Sequence, residues 1–542
     1  MFLDRNFSIA EKFKKNGNLD DAILIYNKIL SKFPLNKRAQ LGKKLCINNK
    51  HASQKEIDLV IELFENNLFS QAKSEVNNLI IKYPEDENLY NISGAIFSKL
   101  RNYSAAEKNY KKAILLHPNF AQAYNNLAET FNQIKKYSEA IELCKKAISI
   151  NNNYAEAYNN LGVSLMNLRK YDESKINFEI SIKLNNPNVY SVYNNLALVY
   201  AYLNNLKKSA KILLECINMQ PSQEEAVNSL SNIMVYLDKE ERLFIEEYLI
   251  KNLELFPLKS RLLTLSLINI QNFIDANFNS TQKNDNKLNK TYNEFLESGL
   301  KIDPKDLKFV EAYKNFITSL KDLDRSSKNS VYKIESNTIY HLGESHCLSF
   351  ANKNIKINNE DFIIKPLITI GLKAWHLSEK KHNKQKSFFV SQLSKIPDNS
   401  KVLISIGEID TRIDEGIISY YQKSNKNLKI IIKDTVHGYI NFIENYFKNK
   451  NIEKFYFTVA APYIQKNISS YNSELSKLRI EVIKTFNEIL ISYISQLKSN
   501  YINTYRFTSD KYGENNKRFM LDEYHLSPNC LSLVEENIKK IT

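Results

Sequence analysis

The feature that most restricts how this chain can fold is a short block recurring at nearly constant spacing. Tyr90-Asn91-Ile92-Ser93-Gly94 is followed by Tyr124-Asn125-Asn126-Leu127-Ala128, Tyr158-Asn159-Asn160-Leu161-Gly162 and Tyr193-Asn194-Asn195-Leu196-Ala197. The small residues Gly94, Ala128, Gly162 and Ala197 are 34, 34 and 35 positions apart, and Tyr103, Tyr137 and Tyr171 recur every 34. Pro84, Pro118, Pro187 and Pro221 close units of the series. Each period is therefore read as two amphipathic helices. A small residue in the first lets the second cross closely, an aromatic opens the second, and proline stops it. One such pair cannot bury its own apolar face, so neighbouring pairs must stack.

These blocks resemble the tetratricopeptide repeat, which implies an α-solenoid, a superhelix of stacked helix pairs. Ala22/Pro34 and Ala72/Pro84 keep the 12-residue offset of Ala106/Pro118, and helical patterning continues past Pro257. A repeat domain is expected over residues 1–323, clearest over 87–221, with the polar stretch Ser280–Lys290 as a loop. In peptide-binding repeats of this family, asparagines at the positions of Asn126, Asn160 and Asn195 hold the backbone of an extended protein or peptide on the concave face. An amide suits that task because it donates and accepts at once. The same asparagines read equally well as solvated inner-helix positions.

Asp324–Glu335 interrupts the helical pattern, and a linker is expected over 324–336. Beyond it the period changes. Thr338–Leu342, Lys401–Ile406 and Lys454–Val459 read as buried strands of a parallel sheet, with amphipathic helices over Ile432–Phe447 and Leu475–Leu497. Strands alternating with helices predict a three-layer α/β domain over 337–542, with its chemistry at the carboxyl ends of strands. Three segments fall at such places: His341-Leu342-Gly343-Glu344-Ser345-His346, Ile406-Gly407-Glu408-Ile409-Asp410-Thr411-Arg412, and Leu521-Asp522-Glu523-Tyr524-His525.

In order and spacing these segments resemble the blocks of the SGNH/GDSL hydrolases, over roughly the final 200 residues. The resemblance implies a flavodoxin-like fold and a serine esterase or acyltransferase acting on an O-acylated small molecule or glycan. Ser345 takes the nucleophile's place, His525 the general base's, and Asp522 orients the imidazole. Gly371 in Ile370-Gly371-Leu372 stands at the family's second block and is an oxyanion candidate, as is Arg412. Two positions depart from the pattern. Glu344 replaces the usual Asp, and Ile409 replaces the asparagine that donates to the oxyanion, a loss that typically costs about 100- to 1,000-fold in turnover. Arg412 would substitute for that donor, or Glu408, Asp410 and Arg412 form an ion-pair network holding the loop. Cys347 is a weaker candidate nucleophile, since nothing nearby lowers its pKa.

Composition narrows the alternatives. The net charge of +15 is spread along the chain beside Asn and Glu without a dense basic stripe, so a solvated surface is expected rather than a nucleic-acid site. No apolar run reaches the length of a membrane span, and no basic segment followed by an apolar stretch opens the chain. Five scattered cysteines without a C-x-x-C pair argue against zinc and disulfides, and point to a reducing compartment, the cytoplasm. No metal and no cofactor are expected. A transferase using a nucleotide or sulfonucleotide donor lacks its Gly-rich phosphate loop. The alternative to the enzyme is a catalytically weak domain of the same fold, serving as a scaffold with its repeats.

Overall fold

The computed structural model describes residues 2–16, 18–48, 51–326, 337–380, 382–463, 473–522 and 524–539. They form two compact units, Met1–Asn195 and Leu196–Thr542. The first is built from helix pairs adjacent in sequence: Glu87–Lys99 with Tyr103–Leu116, Ala121–Gln133 with Tyr137–Ile150, and Ala155–Asn167 with Tyr171–Lys183. The recurring tyrosine opens the second helix each time. A side chain on Gly94 would meet the Tyr110 ring at 2.6 Å, and one on Gly162 the Phe178 ring at 2.7 Å, so an aromatic of the second helix occupies the space a larger residue would need. Arg101, Lys135 and Arg169 take left-handed backbone (φ 58, 64 and 63) in the turn within each pair, ending one helix and aiming the next. Ala106, Tyr110, Ala128, Phe131, Ala140 and Cys144 then fuse successive pairs into one buried cluster.

Helical structure continues into the second unit as far as Ser326. The expected loop at Ser280–Lys290 is instead part of the helix Phe278–Ser298. Its polarity has a structural use: Asp285 accepts from the Asn269 amide (2.8 Å) and pairs with Lys321 (2.5 Å), while Leu288 is buried. Of the expected linker, residues 324–326 complete the helix Pro304–Ser326, and 327–336 lie outside the described residues.

The same unit contains a six-stranded sheet: β1 (Asn337–Gly343), β2 (Asn354–Ile357), β3 (Glu360–Ile368), β4 (Lys401–Ser405), β5 (Glu453–Phe457) and β6 (Asn500–Ile502). Their order is β2-β3-β1-β4-β5-β6. All neighbours are parallel except β2 and β3, so the sheet is mixed rather than parallel throughout. The exception arises because β2 and β3 are joined by a tight turn with Asn358 and Asn359 in left-handed conformation, which reverses the chain. Alternation along the strands supplies two cores. Leu342, Val402, Ile404 and Tyr456 pack with Phe389, Tyr439 and Phe486 on one face; Ile339, Ile364, Leu403 and Phe455 pack with Val534 and Ile538 on the other.

Residues of the helical region after Leu196 contact the loops and a helix beside this sheet. Tyr236 stacks on Phe388 (4.1 Å between centroids, 11°), and its hydroxyl accepts from the Ile370 N–H at 3.1 Å. Asn352 donates to the Phe273 carbonyl at 2.9 Å.

Candidate active site

Ser345 lies just beyond the carboxyl end of β1. At Gly343 a side chain would come 2.5 Å from the Ser405 carbonyl oxygen on β4, so this close crossing requires glycine. The chain then enters the short 3-10 segment Ser345–Leu348, capped by Glu344: its Oε2 accepts from the Ser345 N–H and also contacts the Ser345 hydroxyl. The other carboxylate oxygen accepts from the Tyr313 hydroxyl at 3.0 Å. Burial, then the Glu344 charge, hold the Tyr313 hydroxyl well above the ordinary phenol range, so it stays a donor.

His525 arrives from the other end of the domain. Met520 bridges Leu526 in antiparallel fashion, and the Leu521 N–H donates to the His525 carbonyl at 2.8 Å, closing a narrow loop. Within it Asp522 Oδ1 accepts from the N–H groups of Tyr524 and His525, both at 2.8 Å. The remaining oxygen lies 2.6 Å from His525 Nδ1, and His525 Nε2 is 2.8 Å from Ser345 Oγ. Burial alone would raise the Asp522 carboxyl, but the hydrogen bond and charge of His525 outweigh it and pull Asp522 down to about 2. Asp522 is therefore ionised at neutral pH and fixes the Nδ1–H tautomer, leaving Nε2 free to accept. Ser345 is 5% exposed and His525 8%. Above the imidazole lies Phe316, whose ring is 3.9 Å away at 20°. The His346 Nε2–H donates to the Tyr524 carbonyl (2.7 Å), and burial, then His525, lower its pKa.

The oxyanion candidates lie at this same edge of the sheet. Gly371, with φ +67, follows β3, whose Ile368 is the register partner of Gly343. Arg412 holds Glu408 through Nε (3.0 Å) and its terminal nitrogen (2.7 Å), and its guanidinium lies 4.6 Å from the Tyr524 ring centroid. Arg479 approaches Glu408 at 3.6 Å. Burial works against ionised Glu408, yet the two guanidinium groups and His346 bring its pKa below the ordinary value. Asp410 does not join that pair. Fully buried, it accepts from the Ala374 (2.6 Å) and Trp375 (3.0 Å) N–H groups, and burial raises its carboxyl to about 6. Ile409 is buried beside them. Cys347 is buried too, and burial, then Glu344, push its thiol well above the ordinary range, which removes it as a nucleophile.

Tyr313 and Phe316 escape a reading of the sequence. Three residues apart on a helix, they look like any apolar stripe, and only the tertiary structure sets them over the Glu344-Ser345 turn.

In the first unit the asparagines form a ladder. Asn126 donates to Asn91 Oδ1 at 3.0 Å, and Asn160 to Asn125 Oδ1 at 2.9 Å, each step reaching the preceding repeat. Asn195 begins no described step, and Asn159 Oδ1 is buried without a hydrogen-bond partner among the described residues. His51, Asp86 and Glu87 bring one ligand atom each within 4.8 Å, the one such group among the described residues. Asp86, however, is already committed to the N–H groups of Ala52 (2.8 Å) and Asn88 (2.9 Å). Among the described residues no helix is long and apolar enough to cross a membrane.

Comparison with known proteins bears on the repeats. Residues 87–120 and 190–223, 121–154, and 143–175 match models of the tetratricopeptide repeat. No curated protein matches the chain. Similar solved structures include a thermophilic TPR protein of Thermus thermophilus, at 16% identity over 34% of this chain and 100% of that one (TM-score 0.31). PilW, described as a widely conserved type IV pilus biogenesis factor, is 16% identical over 38% of this chain and 96% of its own (TM-score 0.34). YrrB, described as a TPR protein with an unusual peptide-binding site, is 20% identical over 34% and 95% (TM-score 0.27). The chain thus carries tetratricopeptide repeats, which make this part of it a protein–protein interaction module.

Proposed function

We propose that residues 337–542 are a serine esterase or acyltransferase of the SGNH type, with a three-layer α/β fold, joined to a repeat domain over 1–323 that recruits a protein or peptide partner. The observation that carries this reading is the continuous chain Asp522–His525–Ser345, with steps of 2.6 and 2.8 Å. Ser345 Oγ attacks the carbonyl carbon of an O-acyl ester while its proton passes to His525 Nε2, and the imidazolium is stabilised by ionised Asp522. As the acyl–oxygen bond breaks, His525 returns the proton to the leaving alcohol. Water, or an acceptor hydroxyl in a transferase, then attacks the acyl-Ser345 ester by the same route in reverse. The Gly371 N–H is the proposed oxyanion donor, joined by the Ser345 N–H only when that group is released from Glu344 Oε2. An O-acylated small molecule or glycan is the proposed substrate, and the cytoplasm the proposed location.

A fluorophosphonate probe tests this directly. Wild type is expected to be labelled, with the label absent from Ser345→Ala and His525→Ala; failure of wild type both to label and to hydrolyse short aryl acetates would sink the esterase reading. A second reading is favoured by Ile409 and by the Arg412–Glu408 pair, which together leave no side-chain donor at the family's oxyanion position. In it the domain turns over little and serves as a scaffold, with partners recruited through the repeats. Labelling without hydrolysis of any acyl ester supplied would favour that reading.

A further inference from the structure

We infer that the Pro304–Ser326 helix is part of the active site, and that Phe316 and Tyr313 are positioning residues which deliver the Ser345 proton to His525. The inference rests on the hydrolase reading above. The Ser345 hydroxyl has one hydrogen and two acceptors in contact: His525 Nε2 at 2.8 Å and Glu344 Oε2. Only transfer to His525 leads to attack with later delivery to the leaving alcohol, because only His525 is backed by Asp522 at 2.6 Å. A carboxylate beside the nucleophile therefore competes with the base unless its own acceptor strength is drawn off.

Tyr313 draws it off. Its hydroxyl donates to Glu344 Oε1 at 3.0 Å and, with the Ser345 N–H on Oε2, spreads the Glu344 charge over two donors that are not the nucleophile. One helical turn later, Phe316 covers a face of the imidazole at 3.9 Å and 20°, with His346 at 5.2 Å and 42° as the other ring neighbour. A stacked imidazole keeps both edges aligned, Nδ1 on Asp522 and Nε2 on Ser345. Among the described residues, charged or titratable groups beside it include Asp522 on its own loop, and Glu344 and His346 at the end of β1. From the helix, Tyr313 and Phe316 reach this side, both nearly fully buried. The helical region thus supplies what the strand-end blocks do not: a cover for the base and a brake on the competing carboxylate.

The test uses the full chain and compares the second-order rate of fluorophosphonate labelling for wild type, Phe316→Ala, Phe316→Leu, Tyr313→Phe and the exposed control Thr318→Ala. Phe316→Ala and Tyr313→Phe are each expected to label about ten- to a hundredfold more slowly, the scale of a small misplacement in an active site. Phe316→Leu keeps the apolar cover and should restore most of the rate, and Thr318→Ala should match wild type. Should Phe316→Ala fail to fold, Tyr313→Phe and Phe316→Leu still decide the matter. Wild-type rates in Tyr313→Phe and Phe316→Ala would overturn the inference while leaving Ser345 as nucleophile. Absence of labelling in wild type would instead overturn the hydrolase reading, and this inference with it.

Discussion

The two units differ in how far apart in sequence their decisive contacts lie. In the repeats, the Asn126–Asn91 and Asn160–Asn125 bonds span 35 residues each, one period of the solenoid. In the candidate site, the Ser345–His525 bond spans 180 residues, and the Tyr313–Glu344 bond joins a helix to a strand end 31 residues on. A repeat specifies itself locally: each unit reads its neighbour, and the same small residue, aromatic and proline do the same work every time. A site of the second kind exists only when the whole sheet has formed, so its residues are set by chemistry rather than by period. The difference predicts that damage to one region should be separable from damage to the other.

The largest separable effect is kinetic. Ser345→Ala and His525→Ala should each bring esterolysis down by about 10³-fold or more, to the uncatalysed background, and the double variant should be no worse, because the two act as one unit. Far-UV circular dichroism and the first thermal transition should not change. Additive losses in the double variant would show that the two residues are not partners.

The next effect concerns the charge buried in the sheet domain. Asp410 has a folded-state pKa raised from 3.8 to about 6 by burial. A carboxyl so raised binds protons more tightly in the native than in the unfolded chain, so stability falls as pH rises from about 4 to about 6 and levels off outside that window. A rise of about two units corresponds to roughly 3 kcal/mol. Asp410→Asn removes this segment of the pH dependence, whatever constant cost the amide adds by meeting only one of the two N–H donors well. Denaturant unfolding at pH 4, 5, 6 and 7 checks it: the wild-type curve should decline relative to the variant's across that range, and parallel curves would refute the assignment.

Third comes the close crossing in the repeats. Gly162→Val places methyl groups where the Phe178 ring already sits, 2.7 Å from the first added carbon, and overpacking of this kind costs about 1–3 kcal/mol. The expected result is a lower first melting transition with fluorophosphonate labelling rates unaltered. A matching fall in labelling would mean that damage to the repeats is not separable from damage to the site.

What was legible in the sequence follows the same division. Gly94, Gly162 and the tyrosines that open the second helices could be read from spacing alone, since helix crossing depends on residues one period apart. Ser345, Asp522 and His525 are candidates from motif resemblance alone, and the structure brings their side chains within hydrogen-bond distance of one another. The loop expected at Ser280–Lys290 is a helix because polarity there does not mean exposure: Asp285 turns a polar face inward to Asn269 and Lys321. The antiparallel β2 escaped because a four-residue strand beside an Asn-Asn turn carries too little period to register. Phe316 and Tyr313 were out of reach for a deeper reason. An aromatic stripe on a helix signals burial, and nothing in it says that the buried neighbour is an imidazole.

The smallest effect tests the asparagine ladder, and it separates structure from recognition. Asn160→Ala removes a donor from Asn125 Oδ1, and Asn126→Ala one from Asn91 Oδ1, each a net loss of about 1 kcal/mol. Asn195 lies at the unit's end beyond the described steps, so Asn195→Ala should leave the melting temperature nearly unchanged. If the three asparagines also hold an extended peptide, all three variants should weaken binding on a peptide array alike. If they serve only the solenoid, Asn126→Ala and Asn160→Ala should lower stability while binding stays as in wild type. The Asn195 variant is therefore the informative one: a loss of binding without a loss of stability assigns the amide to the partner, and no change in either confines the ladder to the scaffold.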